Sequence, residues 1–151
     1  MADLTPYQRA VRLLAVRPHF RAELAAKLAQ RGCAAEETEA ALDRLTAEGY
    51  LDDVRAAQDF VASRLERKGE GRLRLKAELV RRGAAEEAIA AALAEVPEDD
   101  LEAARAAAAV WARGKKSPDP AALARHLARK GFSHRAIFAV SNLDPSLDDD
   151  L

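Results

Sequence analysis

Three histidines, one cysteine and an adjacent pair of aspartates are the side chains in this sequence whose types could support catalysis or metal binding. Their spacing argues against both. His19, His126 and His134 make no HExxH or other metal-ligand pattern, and the gap between the last two spans an expected helix end, so they read as surface or capping groups. Cys33 has no histidine at a spacing that would activate a thiolate, and it reads as a small filler between helices. Asp52 and Asp53 could form a carboxylate pair, but adjacent aspartates at a helix start serve as caps. Gly69-Glu70-Gly71 lacks both the preceding strand and the following Lys-Ser/Thr of a phosphate loop. The reading is a protein without catalysis, cofactor or metal.

Binding chemistry is better represented. The formal charge of the 151 residues is −1, yet the charges are segregated. Between Arg64 and Arg82 eight basic residues face three acidic ones, and between Arg113 and Arg135 seven face Asp119 alone, so both stretches suit an acidic partner. The candidate contact residues are Arg64, Lys68, Arg72, Arg74, Arg81, Arg82, Lys115, Lys116, Arg129 and Lys130. A competing structural reading applies to Arg81-Arg82 and Arg129-Lys130, which end helices, where cations are favoured without any partner. Trp111 and Tyr50 raise the option of stacking on nucleic-acid bases, with core packing as the alternative for both.

The elements that must position these residues repeat. In Leu75, Leu79 and Gly83 the apolar stripe of a helix ends on a glycine expected to take the left-handed closing conformation. Glu86 and Glu87 then open a second helix, which buries Ile89 and Leu93. Leu24, Leu28 and Gly32 keep the same spacing, followed by Glu36, Glu37, Thr38 (where Ile89 stands in the central copy) and Leu42. Leu123, Leu127, Gly131 and Ile137 keep it again. A further helix precedes each hairpin: Thr5-Pro6-Tyr7-Gln8 has the form of a capping box opening the first, and an aspartate caps the second beyond the corner Gly49-Tyr50-Leu51, where Tyr50 and Leu51 are expected to tuck inward. Glu98, Asp99 and Asp100 seed the third, an alanine-rich helix from Leu101 to Arg113. Asp119-Pro120 and Ser133 are the caps of the last two helices.

The fold class is therefore all-α: three tandem three-helix repeats, at residues 1–49, 50–97 and 98–143, with an acidic, disordered tail at 144–151. The single cysteine excludes an internal disulfide, and no apolar signal core or run near the ~18 residues of a membrane span is present, so a cytoplasmic protein with no membrane association is expected.

In order and separation, these motifs resemble the RecX family of bacterial recombination regulators. The matching residues are Gly49-Tyr50-Leu51-Asp52-Asp53, then Ala57, Val61 and Arg64, then Lys68-Gly69, Arg72-Leu73, Glu78-Leu79 and Arg82-Gly83. Arg129-Lys130-Gly131-Phe132-Ser133 with Ile137 extends the match, and Glu23-Leu24 with Lys27-Leu28 contributes from the first copy. Ala56 and Ala84 depart from the family pattern. The resemblance implies that the three-helix repeats form an elongated, curved array, and that the protein is a modulator of the RecA recombinase lying in the groove of the RecA filament on single-stranded DNA. It implies inhibition of the ATPase, strand exchange and co-protease activities; a monomer with a weak direct contact to DNA is the accompanying expectation. Two other classes stay open: a helical DNA-binding protein, and a scaffold for an unrelated partner. The helices after the first two glycines, AAEETEAAL and AAEEAIAAAL, are acidic or bland, which disfavours groove reading.

Overall fold

Helix starts in this chain follow their caps. The computed structural model describes residues 3–142. Among them lie α1 (Pro6–Val16), α2 (Arg21–Gln30), α3 (Ala35–Ala47), α4 (Asp53–Arg67), α5 (Arg72–Arg81), α6 (Glu86–Leu93), α7 (Leu101–Ala112), α8 (Pro120–Arg129) and α9 (His134–Ser141), and no strand. The expected capping box opens α1: the Gln8 N–H donates to Thr5 Oγ1 at 3.2 Å and the Thr5 N–H to Gln8 Oε1 at 3.0 Å. Asp52 accepts from the Arg55 N–H ahead of α4, Asp119 from Ala121 and Ala122 at the start of α8, and Ser133 Oγ from Ala136 at the start of α9.

The three aligned glycines close three helices in the same way. Cys33, Ala84 and Phe132, each one residue past its glycine, donate their N–H to Leu28, Leu79 and Leu127 at 3.1, 3.0 and 3.2 Å. Gly32, Gly83 and Gly131 donate to Ala29, Val80 and Ala128 at 3.0 Å each, completing the paired bonds of a Schellman closure. The core positions align as well. Leu28, Leu79 and Leu127 are fully buried. Six residues past the glycines, Thr38, Ile89 and Ile137 are all buried; ten past them, so are Leu42, Leu93 and Ser141.

The chain forms two compact units, one of Met1–Phe60 with Leu79–Ala92, the other of Val61–Glu78 with Leu93–Leu151. In the first, α1 packs on α3 and the core joins Ala10, Leu24, Leu28, Leu42, Leu45 and Leu51, with Cys33 against its edge as a filler. Asp53 ties this unit together: its carboxylate accepts from the Arg21 N–H at 2.8 Å and from the Ala85 N–H at 3.2 Å, at the starts of α2 and α6. In the second unit α7 packs on α9 through Ala104 and Ala107, against Leu127, Phe132, Ala136 and Ile137. The small alanine side chains permit this close approach.

Two expectations need correction. Tyr50 is 67% exposed, and only Leu51 turns inward, because both N–H groups at this corner donate to the Leu45 carbonyl and the two side chains leave it on different sides. His19 is buried at 3% exposure, not a surface group. At the start of α7 Asp99 accepts from the Leu101 N–H at 3.1 Å, while the Asp100 carboxylate binds Ser133 at the start of α9. The acidic tail lies outside the described residues.

Candidate partner-binding surface

The first turn of α5 gathers half of the candidate cations. Gly71 donates its N–H to the Lys130 carbonyl at 2.6 Å, and Leu73 donates to Gly131 at 3.2 Å, so the free N–H groups that begin α5 meet carbonyls from the turn after α8. The fit depends on glycine on both sides. A Cβ on Gly71 would strike the Gly131 carbonyl, and a Cβ on Gly131 would strike the Arg74 backbone.

Around this junction several cations do structural work. Arg72 Nη1 donates to the Leu93 carbonyl at 2.6 Å, at the end of α6, where the helix dipole is negative. Arg74 donates to the Arg129 carbonyl and to Glu70 Oε2, each at 3.0 Å. Arg64 grips both oxygens of Glu70 at 2.7 and 2.9 Å and lies 3.9 Å from Glu78. Glu70 is thus held between Arg64 and Arg74, with 14% of its side chain exposed. Arg64 and Arg72 are half-buried; Lys68, Arg74, Lys76 and Arg129 are exposed.

A second group surrounds Trp111. The Lys115 ammonium lies 4.4 Å from the Trp111 ring centre and donates to the Trp111 carbonyl at 2.6 Å, while the His126 ring stands 5.9 Å from the same indole. Partial burial lowers the His126 pKa, and the charges of Lys130, Arg129 and Lys115 lower it further. His126 therefore carries no charge at neutral pH, and the positive potential here comes from lysine and arginine. Trp111 is half-buried and Lys116 exposed.

Arg81 and Arg82 belong to the other compact unit. Arg81 is exposed, and the Arg82 guanidinium stands 4.8 Å from the centre of the Phe60 ring. Of the ten candidate cations, eight fall in the unit holding α7–α9 and two in the unit holding α1–α3. Sequence reasoning did not foresee that Arg64, Arg72 and Arg74 have partners of their own. The signal for Arg74 was present, since Glu70 stands four residues before it on the approach to α5.

Among the described residues no group of three or more His, Cys, Asp or Glu side chains is arranged to hold a metal ion, and no helix is long and apolar enough to cross a membrane. Fold and surface together define an all-helical protein assembled from three-helix domains, with cations at its helix ends. Comparison with known proteins narrows the class. Residues 7–45 match the first three-helix domain of RecX, and residues 52–93 match the second. The regulatory protein RecX of Xanthomonas oryzae pv. oryzae is 41% identical over 148 residues, covering 95% of this chain and 91% of that protein. The protein of the same name from Chromohalobacter salexigens is 38% identical over 137 residues, covering 89% of this chain and 90% of the relative. The crystal structure of RecX from Lactobacillus salivarius superposes with a TM-score of 0.78 at 19% identity, over 91% of this chain and 92% of that one. The chain belongs to the RecX family of regulatory proteins.

Proposed function

We propose that this chain is a monomeric cytoplasmic regulator that binds RecA filaments on single-stranded DNA in the filament groove. There it lowers their ATPase, strand-exchange and co-protease activities without catalysis of its own. Family membership along 95% of the chain carries this reading. The exposed cations Lys68, Arg81, Lys115, Lys116 and Arg129 support it, because they offer an acidic filament surface several separate points of attachment. Weak contacts joined in one chain add through effective concentration. Arg64 and Arg72 serve the site by shaping it from within. The proposed modules are residues 1–49, 50–97 and 98–143.

The test is the DNA-dependent ATPase rate of RecA on single-stranded DNA as this protein is added below one molecule per RecA. A fall at concentrations where bare DNA is not bound is the expected result; an unchanged rate would remove RecA as the partner. A second reading, direct binding of DNA, draws on Trp111 with Lys115 over its ring beside Arg129 and Lys130, the pairing of aromatic face and cations that holds unpaired bases. It predicts that inhibition appears only once bare DNA is saturated.

A further inference from the structure

The ten candidate cations leave out a second basic surface, on the opposite end of the sequence. Between α1 and the end of α2 lies an open groove of about 500 Å³, within the range of ligand-binding clefts. Leu4, Leu13, Val16 and Leu28 form its apolar lining, and Arg9, Arg12, Lys27 and Arg31 supply four positive charges with no carboxylate among the lining residues. Val16 is 83% exposed, the highest value among the exposed large apolar side chains of the described residues.

Two observations separate this groove from an ordinary solvated face. First, the cations are not used up. Among the described residues no carboxylate forms an ion pair with Arg9, Arg12 or Arg31, although Arg17, Arg21, Arg44, Arg64 and Arg74 all have one. Helix electrostatics account for Lys27 and Arg31 near the negative end of α2, but not for Arg9, which stands at the positive end of α1. Second, Lys27 is held in place. Buried His19 bonds the Arg17 carbonyl through Nδ1 at 3.0 Å, which makes that nitrogen the donor and leaves Nε2 to accept from the Lys27 ammonium at 2.8 Å. A long, otherwise free side chain is thereby fixed at the groove.

We infer that the α1–α2 groove docks an acidic amphipathic helix of a partner protein. Its leucine-type side chains enter against Leu4, Leu13 and Val16, and its carboxylates meet Arg9, Arg12 and Arg31. This is the helix-in-groove mode, in which apolar anchors set affinity and the charged rim sets partner choice and encounter rate. The inference stands apart from the recombinase reading, since none of its residues belongs to the ten.

The probe is a fluorescein-labelled synthetic helical peptide with leucine at every i, i+4 position and glutamate between, titrated with the full chain and read by anisotropy. Binding that weakens with salt is expected, together with a loss of about tenfold or more in the Arg12→Glu, Arg31→Glu double variant and in Val16→Ser. These three positions are on the surface or its edge, and thermal melts matching wild type will confirm that the variants fold. No binding, or binding that the variants leave unchanged, would overturn the assignment. So would equal binding of a peptide with serine in place of leucine. A synthetic peptide of residues 143–151, whose aspartates and leucines have the same chemistry, is the competitor. Displacement of the probe by it at comparable concentration would assign the groove to the chain's own C-terminal segment, from the same or a second copy, and overturn the partner.

Discussion

Asp100 and Ser133 are joined twice across a gap of 33 residues: the Ser133 N–H and its hydroxyl both donate to the Asp100 carboxylate, at 2.6 Å each. The pair fastens the start of α7 to the start of α9, and Ser133 Oγ in turn accepts from Ala136. Asp53 does the same for the preceding domain by accepting from Ala85, which occupies the position two past Gly83 that Ser133 occupies past Gly131. A carboxylate at a helix start, bonded to N–H groups, is favoured by both hydrogen bonding and the helix dipole.

Asp100→Ala leaves a half-buried N–H and hydroxyl without their charged acceptor. It is expected to cost about 1–3 kcal/mol in urea unfolding. Ser133→Ala keeps the backbone bond but loses the hydroxyl bond and the cap on Ala136, so a cost of about 1–2 kcal/mol is expected. A double-mutant cycle with a coupling near zero would show that the pair does not act as a unit.

The glycines at the ends of α2 and α8 look equivalent in the sequence but are not in their surroundings. Gly32→Ala has nothing within 4 Å of the new Cβ and incurs only the left-handed backbone cost, about 1–2 kcal/mol. Gly131→Ala incurs that cost and also drives its Cβ into the Arg74 backbone, so a loss above about 3 kcal/mol is expected. Equal losses in the two variants, measured by denaturant unfolding, would refute the close approach of α5 to this turn.

His19 makes stability depend on pH in a defined direction. Burial lowers its pKa, and the nearby Arg17 and Lys27 charges add to the effect against the bond to the Arg17 carbonyl, which raises it. The unfolded chain therefore binds a proton near the ordinary value of about 6.5, while the folded chain still holds the imidazole neutral. The contribution is fully present above that value and is lost as pH falls below it through the folded pKa. Melting temperature should drop between pH 7.5 and about pH 5.5, and less so in His19→Gln, which titrates no proton there. Parallel pH profiles for the two proteins would remove His19 as the cause.

What was legible in the sequence was local. Thr5-Pro6, Asp119-Pro120 and Ser133 specify helix starts through bonds spanning two or three residues, and Leu-x3-Leu-x3-Gly specifies both the buried stripe and its closure, so helix order and most ends are readable without tertiary information. The misreadings are all non-local. Nothing in Gly49-Tyr50-Leu51 says which of two adjacent apolar residues faces in. His19 follows Pro18 outside any periodic segment, so its burial is set by how the α1–α2 corner folds over it. Asp53 and Asp100 reach N–H groups 32 and 33 residues away, and Arg72 a carbonyl 21 residues away, at distances no spacing rule covers.

Buried hydroxyls mark where the repeat has room to be stabilised. Thr38 and Ser141 occupy positions that are Ile89 and Leu93 in the central copy, and neither hydroxyl has a hydrogen-bond partner among the described residues. An unpaired buried hydroxyl costs roughly 1–3 kcal/mol. Thr38→Val keeps the shape and removes that cost, so it should stabilise by about 1 kcal/mol and raise the melting temperature by a few degrees. A lower melting temperature would show that the Thr38 hydroxyl is satisfied in solution.

The candidate cations can be sorted by whether their loss acts through folding or through contact. Arg64 holds Glu70 at 2.7 Å with 20% of its side chain exposed, and Arg72 closes the end of α6, so alanine at either should cost about 1–2 kcal/mol of stability. Lys68 and Lys116 are exposed and form no ion pair among the described residues, so Lys68→Glu with Lys116→Glu should leave stability within about 0.5 kcal/mol of wild type. If these lysines meet an acidic partner, the double reversal weakens RecA-filament binding and flattens its loss with added salt, because salt then screens repulsion at two points where it had screened attraction. Filament binding by the folded double variant that matches wild type would confine the contact surface to Arg81, Arg82 and the cations around Trp111.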